Sequence, residues 1–400
     1  MSKLDKLLDG VEVDYRILGD YTNYEQPTKY RVKSKEYNDE FETPVLTAGK
    51  TFILGFTDET DGIYKASKNT VIIFDDFTTA NKWVDFDFKV KSSAMKLITS
   101  KDESKLLLRY IYHWMNTLTS DLVDGDHKRQ WISNYANKKI PIPCPDNPEK
   151  SLEIQKEIVR ILDTFTELTS ELTSELTSEL KARKKQLSYY REKLITDSSF
   201  EKEELGNISD IFLGLTYTPK YVEKGVKFIS AKNTSKDFLD LEDVKYISKE
   251  EYDKSTSNAK PKRSDVLFTR VGSNLGHPVI VDTDEDLCIF VSLGYIRVNS
   301  EKVLNSYIKH WMNTDLFWSQ VRSKTHGAAK VNLNTGWLKK FEVILPSLNE
   351  QQRIVNILDE FDVLTTSISE GLPKEIELRK KQYEYYRNKL LTFPKDTVEA

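Results

Sequence analysis

Apolar residues recur at alternating spacings of three and four along a stretch in the middle of the chain. This spacing places side chains on one face of an α-helix, and neither Pro nor Gly occurs from Leu152 to Ile195. The pattern predicts a helix of about 65 Å whose apolar face needs a covering partner. The residues of this apolar stripe are Ile158, Ile161, Leu162, Phe165, Leu168 and Leu172.

The same stripe returns 196 residues further along the chain. Two pairs of segments align without a gap: EIVRILDTF with RIVNILDEF, and RKKQLSYYREKL with RKKQYEYYRNKL. From Ile158 to Ile195, half of the aligned positions are identical. Gly371 and Pro373 interrupt the second copy, so we expect a kink or break in that helix near Pro373.

A third match, YIYHWMNT with YIKHWMNT, lies ahead of each helix at a shift of 197 residues. The chain is therefore an internal duplication in which a lobe of roughly 150 residues precedes each helix. We expect lobes at 1–150 and 198–346, and long helices at 151–197 and 347–395. The two helices are predicted to pack antiparallel as a coiled coil, relating the lobes by a pseudo-twofold axis.

Within the lobes, short apolar runs predict strands and a repeated aromatic segment predicts a helix. VIIF, VLFT and IFVSL are strand-like, whereas YIYHWMN is helical. Each lobe is therefore predicted to be a compact α/β or α+β domain with many loops.

The first helix contains LTSELTSELTSEL, a repeat with a period of four. Leu168, Leu172, Leu176 and Leu180 each advance about 40° around the helix, so they stay on one broad face. Two interpretations remain open. The run is either a solvated helix segment or a spacer whose length changes in units of four.

Composition and charge narrow the class of protein. Four hundred residues, 38% hydrophobic and 30% charged, are typical of a globular protein with at least two domains. No apolar run approaches a membrane span and the N-terminus is too polar for a signal peptide, so a cytoplasmic location is expected. Cys144 and Cys288 lack metal-ligand spacing. A net charge of −4 counts against binding nucleic acid by charge alone but does not exclude it.

Catalytic motifs are missing from the sequence. It has no adjacent prolines, as in a methyltransferase loop, and no GxGxxG, HExxH or CxxC. TPVLTAGKT ends like a phosphate loop, but Pro44 replaces its first glycine. Asp75 and Asp76 would point to opposite faces of a strand, and His113 and His310 are expected to be packed. We predict a non-catalytic binding protein without its own metal or cofactor.

Loops that combine small residues with Arg, Lys, Asn and Ser are suited to contact bases and phosphates. Four loops have this composition: TTANKW, GDHKRQW, TRVGSNLG and KTHGAAK. A solvated loop is the alternative for each, although their recurrence in both copies favours DNA contact. Arg129 and Arg270 are the first choices because guanidinium is a bidentate donor. The predicted DNA-binding residues are Thr79, Asn81, Lys82, Trp83, Lys128, Arg129, Arg270, Ser273, Asn274, Lys324, His326 and Lys330.

The order of lobe, helix ending in RKKQxxYYRxKL, second lobe and repeated helix resembles the specificity subunits of type I restriction-modification enzymes. LPSLNEQQRIV, VLFTRVGSNLG and the TSEL repeats carry this resemblance, which covers the whole chain. The TSEL run is most similar to the class with a tetrapeptide repeat in the first helix.

The resemblance implies that each lobe reads half of a bipartite site in double-stranded DNA. It implies helices that set the spacer and dock two methyltransferase subunits, which bind S-adenosylmethionine and methylate adenine at N6. Two motor-nuclease subunits, using ATP and Mg²⁺, would complete the restriction enzyme. A coiled-coil scaffold that never touches DNA is the alternative, but it leaves the repeated basic loops unexplained. A self-sufficient nuclease would need a metal-binding carboxylate cluster.

Overall fold

The computed structural model describes residues 7–47, 51–118, 129–272, 274–325, 332–366 and 371–393. The chain divides into two compact units. Unit 1 comprises Met1–Thr173 and Glu377–Ala400, and unit 2 comprises Ser174–Ile376. Each unit therefore contains one lobe together with parts of both long helical regions.

The first lobe is a mixture of short strands and short helices. Its strands are β1 (Val13–Ile17), β2 (Thr22–Glu25), β3 (Thr43–Leu46), β4 (Ile53–Thr57), β5 (Val71–Asp75), β6 (Asn81–Val84), β7 (Lys89–Val90), β8 (Met95–Ser100) and β9 (Lys139–Pro143). Its helices are α1 (Leu18–Tyr21), α2 (Leu108–Met115) and α3 (Gln130–Ser133), with 3₁₀ turns at Pro27–Tyr30 and Tyr135–Asn137.

The first lobe's strands form three sheets. The order β2-β8-β5-β6 makes an antiparallel sheet, and β1 pairs antiparallel with β9. In the third sheet, β4-β3-β7, the β3–β7 pair is parallel. The predicted strand VIIF lies in β5, whose five residues are all buried. That burial on both faces explains the unbroken apolar run.

A single helix, α4 (Pro148–Ile195), follows the first lobe. Its 48 residues correspond to a length of about 72 Å. The helix begins a few residues before the predicted start because Pro148 occupies its first turn, where a missing N–H breaks no helical hydrogen bond. Asn147 Oδ1 accepts a hydrogen bond from Lys150 N at 3.1 Å and caps this end.

The second lobe has a similar series of elements. Its strands are β10 (Glu201–Glu204), β11 (Ser209–Leu213), β12 (Tyr221–Val222), β13 (Val226–Ile229), β14 (Lys245–Ile247), β15 (Val266–Thr269), β16 (Pro278–Ile280), β17 (Leu287–Ile289), β18 (Leu293–Val298) and β19 (Glu342–Leu345). Its helices are α5 (Leu205–Ile208), α6 (Lys249–Lys254), α7 (Asn305–Trp311), α8 (Asp315–Thr325) and α9 (Thr335–Leu338), with 3₁₀ turns at Ala231–Thr234 and Ser257–Ala259.

The sheets of the second lobe repeat the topology of the first. The sheet β11-β18-β15-β16 corresponds to β2-β8-β5-β6, and β10–β19 corresponds to β1–β9. The third sheet, β12-β14-β13-β17, again contains one parallel pair, β13–β17. The duplication predicted from the helices therefore extends to the strand order of both lobes.

One strand prediction is confirmed and another is wrong. VLFT forms β15, as predicted. IFVSL is not a strand, because β17 ends at Ile289 and β18 begins at Leu293. The backbone reverses between them, with Leu293 N donating to Phe290 O at 2.9 Å. Short apolar runs cannot be assigned by periodicity alone, and here the run joins two buried strands.

The second helical region consists of α10 (Leu348–Thr366) and α11 (Gly371–Thr392). Gly371 has a φ of +77°, outside right-handed helical geometry, so the helical path is interrupted there. Pro373 lies in the first turn of α11, where proline is tolerated. The predicted break is confirmed, two residues before the proline.

The long helices pack on each other inside each unit. In unit 1 the ring of Phe165 in α4 stacks on Tyr386 of α11 at 5.5 Å, and Thr166 Oγ1 contacts Tyr383 OH at 3.0 Å. Residue numbers increase along α4 in the direction in which they decrease along α11, so the two helices are antiparallel here. In unit 2, Tyr190 stacks on Phe361 at 5.9 Å. These are the same repeat positions with the helices exchanged.

The TSEL run departs from the predicted stripe at its first leucine. Leu168 is 54% exposed, whereas Leu172, Leu176 and Leu180 are half-buried. A period of four turns the leucines slowly around the helix, so they do not all share the covered face.

A buried glutamine joins each lobe to its helix. Gln155 Oε1 accepts from Leu107 N at 3.0 Å, and Gln155 Nε2 donates to Lys105 O at 3.1 Å. Gln351 makes the same pair of hydrogen bonds, to Leu304 N at 2.9 Å and Lys302 O at 3.0 Å. Both glutamines are fully buried.

Gln351→Ala removes the side-chain oxygen that accepts a hydrogen bond from Leu304 N. We expect the free energy of unfolding to fall by about 1–3 kcal/mol, the usual cost of an unsatisfied buried group. Urea denaturation followed by tryptophan fluorescence measures this change. Gln352→Ala is the matched control, because Gln352 is exposed and bonds to Asn356 one turn along α10. Equal losses in the two variants would contradict the anchoring role of Gln351.

Candidate nucleic-acid interface

The hairpin between β5 and β6 is closed by a carboxylate at its base. Asp75 Oδ1 accepts hydrogen bonds from Phe77 N at 2.9 Å and Thr78 N at 3.1 Å. Thr79 has a φ of +61° and its N–H donates to Asp75 O at 3.0 Å. This local hydrogen bonding fixes the turn without help from the rest of the lobe.

Asp76 connects this hairpin to α3. Its backbone oxygen accepts from Gln130 N and its Oδ1 accepts from Trp131 N, both at 2.9 Å. Asp76 Oδ2 lies 3.6 Å from Lys96 Nζ, and both side chains are buried. Asp75 and Asp76 therefore have separate structural roles, which agrees with the rejection of a shared acid–base role. The contact joins the hairpin that carries TTANKW to Gln130 and Trp131, the last residues of GDHKRQW.

In the second lobe Arg270 joins the predicted loop TRVGSNLG to Leu333. Arg270 O accepts from Leu333 N at 3.1 Å, and Arg270 Nε donates to Leu333 O at 3.2 Å. Arg270 N also donates to Ser292 O at 2.8 Å. The hairpin between β15 and β16 is thus joined to the segment that follows KTHGAAK.

Strand register shows that Asp76 and Arg270 occupy equivalent positions. The last residues of β8 and β18 pair with the first residues of β2 and β11, which aligns Ser100 with Val298. Ile72 of β5 pairs with Ile98, and Val266 of β15 pairs with Ile296. Asp76 and Arg270 each lie four residues beyond these aligned strand positions. The same hairpin therefore meets the same following segment in both lobes.

The predicted residues of the first lobe differ in accessibility. Thr79 is buried in the turn, and Asn81, Lys82 and Trp83 belong to β6 rather than to a loop. Lys82 and Arg129 are exposed. Asn81 Oδ1 is buried with no hydrogen-bond partner among the described residues. Lys128 lies outside the described residues.

Three predicted residues of the second lobe are described, two in the β15–β16 hairpin and one in α8. Arg270 and Asn274 are half-buried, and Asn274 O accepts from His277 N at 3.2 Å. Lys324 is exposed near the end of α8. Outside the described residues lie Ser273, His326 and Lys330.

Trp83 has a packing role that its sequence position did not reveal. The Arg109 guanidinium lies 4.5 Å from the Trp83 ring centroid, within range of a cation–π contact. Arg109 Nε and Nη2 both lie 2.8 Å from Asp163 Oδ1 on α4. The hairpin strand β6 is therefore connected to the long helix through one arginine.

His113 completes this contact with the helix. Its Nε2 lies 2.8 Å from Asp163 Oδ1, and the imidazole is buried. Burial lowers the pKa of His113. Burial favours protonation of Asp163, but hydrogen bonds from His113 and Arg109 outweigh it, so the pKa of Asp163 lies below its usual value. The expectation that His113 is packed is confirmed; its aspartate partner was missed.

The second lobe has a related contact with an additional carboxylate. His310 Nε2 lies 2.8 Å from Asp359 Oδ1, while Asp362 is held by Arg191 and Lys309, each at 3.2 Å. His310, Asp359 and Asp362 have ligand atoms within 4.8 Å of one another, a spacing compatible with a metal. Two cations already bond to Asp362, and Thr166 replaces this aspartate in the first copy. The group is accounted for as an ion-pair network.

Among the described helices, none combines the length and apolarity needed to cross a membrane.

Comparison with known proteins identifies a family. The family model for the type I restriction modification DNA specificity domain matches residues 11–182 and 198–378. The chain is 50% identical to the type I restriction enzyme EcoR124I/EcoR124II specificity subunit of Escherichia coli, over 99% of this chain and 98% of that protein. It is 34% identical to the Escherichia coli EcoprrI specificity subunit, over 64% of this chain and 59% of that protein.

Two solved structures share the fold. The type I restriction-modification system S subunit from M. genitalium is similar with a TM-score of 0.51 and 14% identity, covering 99% of this chain and 100% of that one. A chain from a structure on complex assembly and conformational transition of the type I R-M system has a TM-score of 0.62 and 16% identity. That match covers 96% of this chain and 98% of the other.

Arg129→Ala and Arg270→Ala are each expected to weaken sequence-specific DNA binding by about 1–3 kcal/mol through loss of a bidentate base contact. Loss of a phosphate contact would instead weaken binding to all sequences alike and reduce the salt slope by about one. Fluorescence anisotropy across a salt series measures both quantities. Arg263→Ala is the control, since Arg263 is an exposed arginine paired with Asp284 at 2.8 Å. Unchanged affinity and salt slope in both variants would show that these arginines do not contact DNA.

Proposed function

Because the chain belongs to the family of type I restriction-modification specificity subunits, a non-catalytic DNA-recognition component, we propose that its two lobes read the two halves of a bipartite site in double-stranded DNA. In this proposal the lobes at 1–150 and 198–346 are target-recognition domains. The helical regions at 151–197 and 347–395 set the spacer between the half-sites.

One observation carries this proposal. In each lobe the backbone joins a hairpin to a residue at or just beyond the end of a predicted basic loop, Asp76 to Gln130 in the first lobe and Arg270 to Leu333 in the second. Each lobe therefore has one composite surface on which the hairpin adjoins the described end of that segment. Base reading requires side chains held in register on a rigid support, which this arrangement provides. A coiled-coil scaffold would not need the same paired hairpin in both copies.

The repeat also supports a pair of identical partners. Tyr189 on α4 and Tyr385 on α11 are equivalent residues, 60% and 61% exposed. Two equivalent surfaces fit two copies of one protein, and we propose two methyltransferase subunits. Those subunits would bind S-adenosylmethionine and take the flipped adenine for methylation at N6. They would also supply phosphate contacts that a chain of net charge −4 does not provide by charge alone.

Restriction would follow when two motor-nuclease subunits, using ATP and Mg²⁺, join this assembly. We propose that the assembly works in the cytoplasm, where chromosomal DNA lies. The TSEL run would place the chain in the class whose first helix carries a tetrapeptide spacer.

Exchanging Ser198–Leu345 for the second lobe of a relative tests modular reading. We expect one half-site to change and the other to stay the same, because each lobe has its own sheets and its own composite surface. Methylation mapping of the chimera, assembled with its methyltransferase subunits, reveals both half-sites. The reciprocal exchange of the first lobe is the control. A change in both half-sites after one exchange would refute modular reading, and no sequence-specific methylation by the parent assembly would refute the function itself.

Deleting Thr173–Leu176 tests the spacer interpretation of α4. Four residues shorten a helix by about 6 Å and turn its far end by about 40°. The rotation matches one base pair of B-DNA, which twists by roughly 35°, and the shortening lies between one and two base-pair rises of about 3.4 Å. We expect a preferred spacer that is one base pair shorter, with unchanged half-sites, in methylation mapping on a library of spacer lengths.

A three-residue deletion of Ser174–Leu176 is the control for this experiment. It turns the far end of the helix by about 60° in the opposite sense, so the apolar face no longer lines up. We expect this variant to lose activity rather than to shift its spacer preference. An unaltered spacer preference after the four-residue deletion would refute the spacer role.

A further inference from the structure

The tip of the β5–β6 hairpin carries an exposed aromatic side chain that sequence analysis did not single out. Phe77 is 42% exposed, although its neighbours Asp75 and Asp76 are buried. Its backbone N–H is held by Asp75 Oδ1 at 2.9 Å, and the adjoining turn is fixed by Thr79. A rigid turn therefore presents the ring to solvent.

The second lobe presents an apolar side chain at the equivalent position. Val271 is 37% exposed and directly follows Arg270, as Phe77 directly follows Asp76. A single exposed apolar residue needs no explanation. Two such residues, each directly following the residue that joins its hairpin to the next segment, indicate a shared requirement of the two surfaces.

The charged groups around Phe77 and Val271 are compatible with DNA contact. Exposed Arg129 precedes Gln130, whose N–H bonds to Asp76 O, and Arg270 adjoins Val271. The two carboxylates that precede Phe77 in sequence are already engaged, Asp75 by backbone N–H groups and Asp76 by Lys96 and Trp131.

We propose that Phe77 and Val271 each contact the C5 methyl group of a thymine in the major groove, one in each half-site. This inference rests on the proposed DNA-reading function. The thymine methyl is the apolar feature of the major-groove code. Neither side chain has a hydrogen-bonding group for the other base edges, whereas burying a methyl group against it is favourable. Each half-site that contains a methylated adenine also contains a thymine opposite it.

Replacing thymines by deoxyuridine tests this contact, because the change removes only the methyl group. The experiment uses the full chain assembled with its methyltransferase subunits, and each thymine of the mapped site is replaced in turn. We expect the wild-type assembly to lose affinity by about fourfold at one thymine of each half-site, the effect of one buried methyl group. Phe77→Ala removes this sensitivity in the half-site read by the first lobe, and Val271→Ala removes it in the other.

Phe77→Leu is the conservative variant and keeps the sensitivity, since leucine still offers an apolar surface. Ile53→Ala, an exposed apolar position on β4, is the matched control and leaves every sensitivity unchanged. Wild-type sensitivity retained in Phe77→Ala and Val271→Ala overturns the inference. Indifference of the wild-type assembly to every deoxyuridine, with methylation still sequence-specific, also overturns it and leaves the DNA-reading function intact. Absence of sequence-specific methylation overturns the function instead.

Discussion

A hydrogen bond between a buried histidine and a partly exposed aspartate joins each lobe to a long helix. His113 meets Asp163 and His310 meets Asp359, both at 2.8 Å. The histidines belong to α2 and α7, which pack on the hairpin strands β5–β6 and β15–β16 of their sheets. Each imidazole is buried, so loss of the carboxylate would leave its Nε2 without this partner. Gln155 and Gln351 bond to Leu107 N and Leu304 N, which directly precede the same two short helices. The histidine and the glutamine together hold the helix that packs on each hairpin against its own long helical region.

The duplication was predictable because the residues that make this contact are repeated in sequence. HWMN and ILD recur at shifts of 197 and 196 residues, and each pair of segments supplies one half of the hydrogen bond. Gln155 and Gln351 repeat at the same shift. Searching the aligned copies for polar residues that recur on the apolar faces of the helices would have found Asp163 and Asp359. Local periodicity predicted the helices because their stripes are long enough to be unambiguous.

The site was less predictable because it is built from contacts between distant residues. Composition indicated the four basic loops, but it did not indicate that Asp76 bonds to Gln130 and Arg270 to Leu333. Trp83 is a predicted DNA-binding residue from its place in TTANKW, whereas in the structure its ring packs against Arg109, a residue 26 positions further along the chain. The strand prediction for IFVSL was wrong for a related reason. A buried turn between two strands gives the same apolar run as a single buried strand.

Positions that are identical in the two copies have a different role from positions that differ. Histidine, aspartate and glutamine are kept where a lobe meets its helix, so both lobes have the same framework. At the hairpins the equivalent residues differ: Asp76 against Arg270, and Phe77 against Val271. A protein that read the same half-site twice would need the same side chains at both tips. A repeated framework with different side chains at the hairpins fits the proposal that one chain reads two different half-sites.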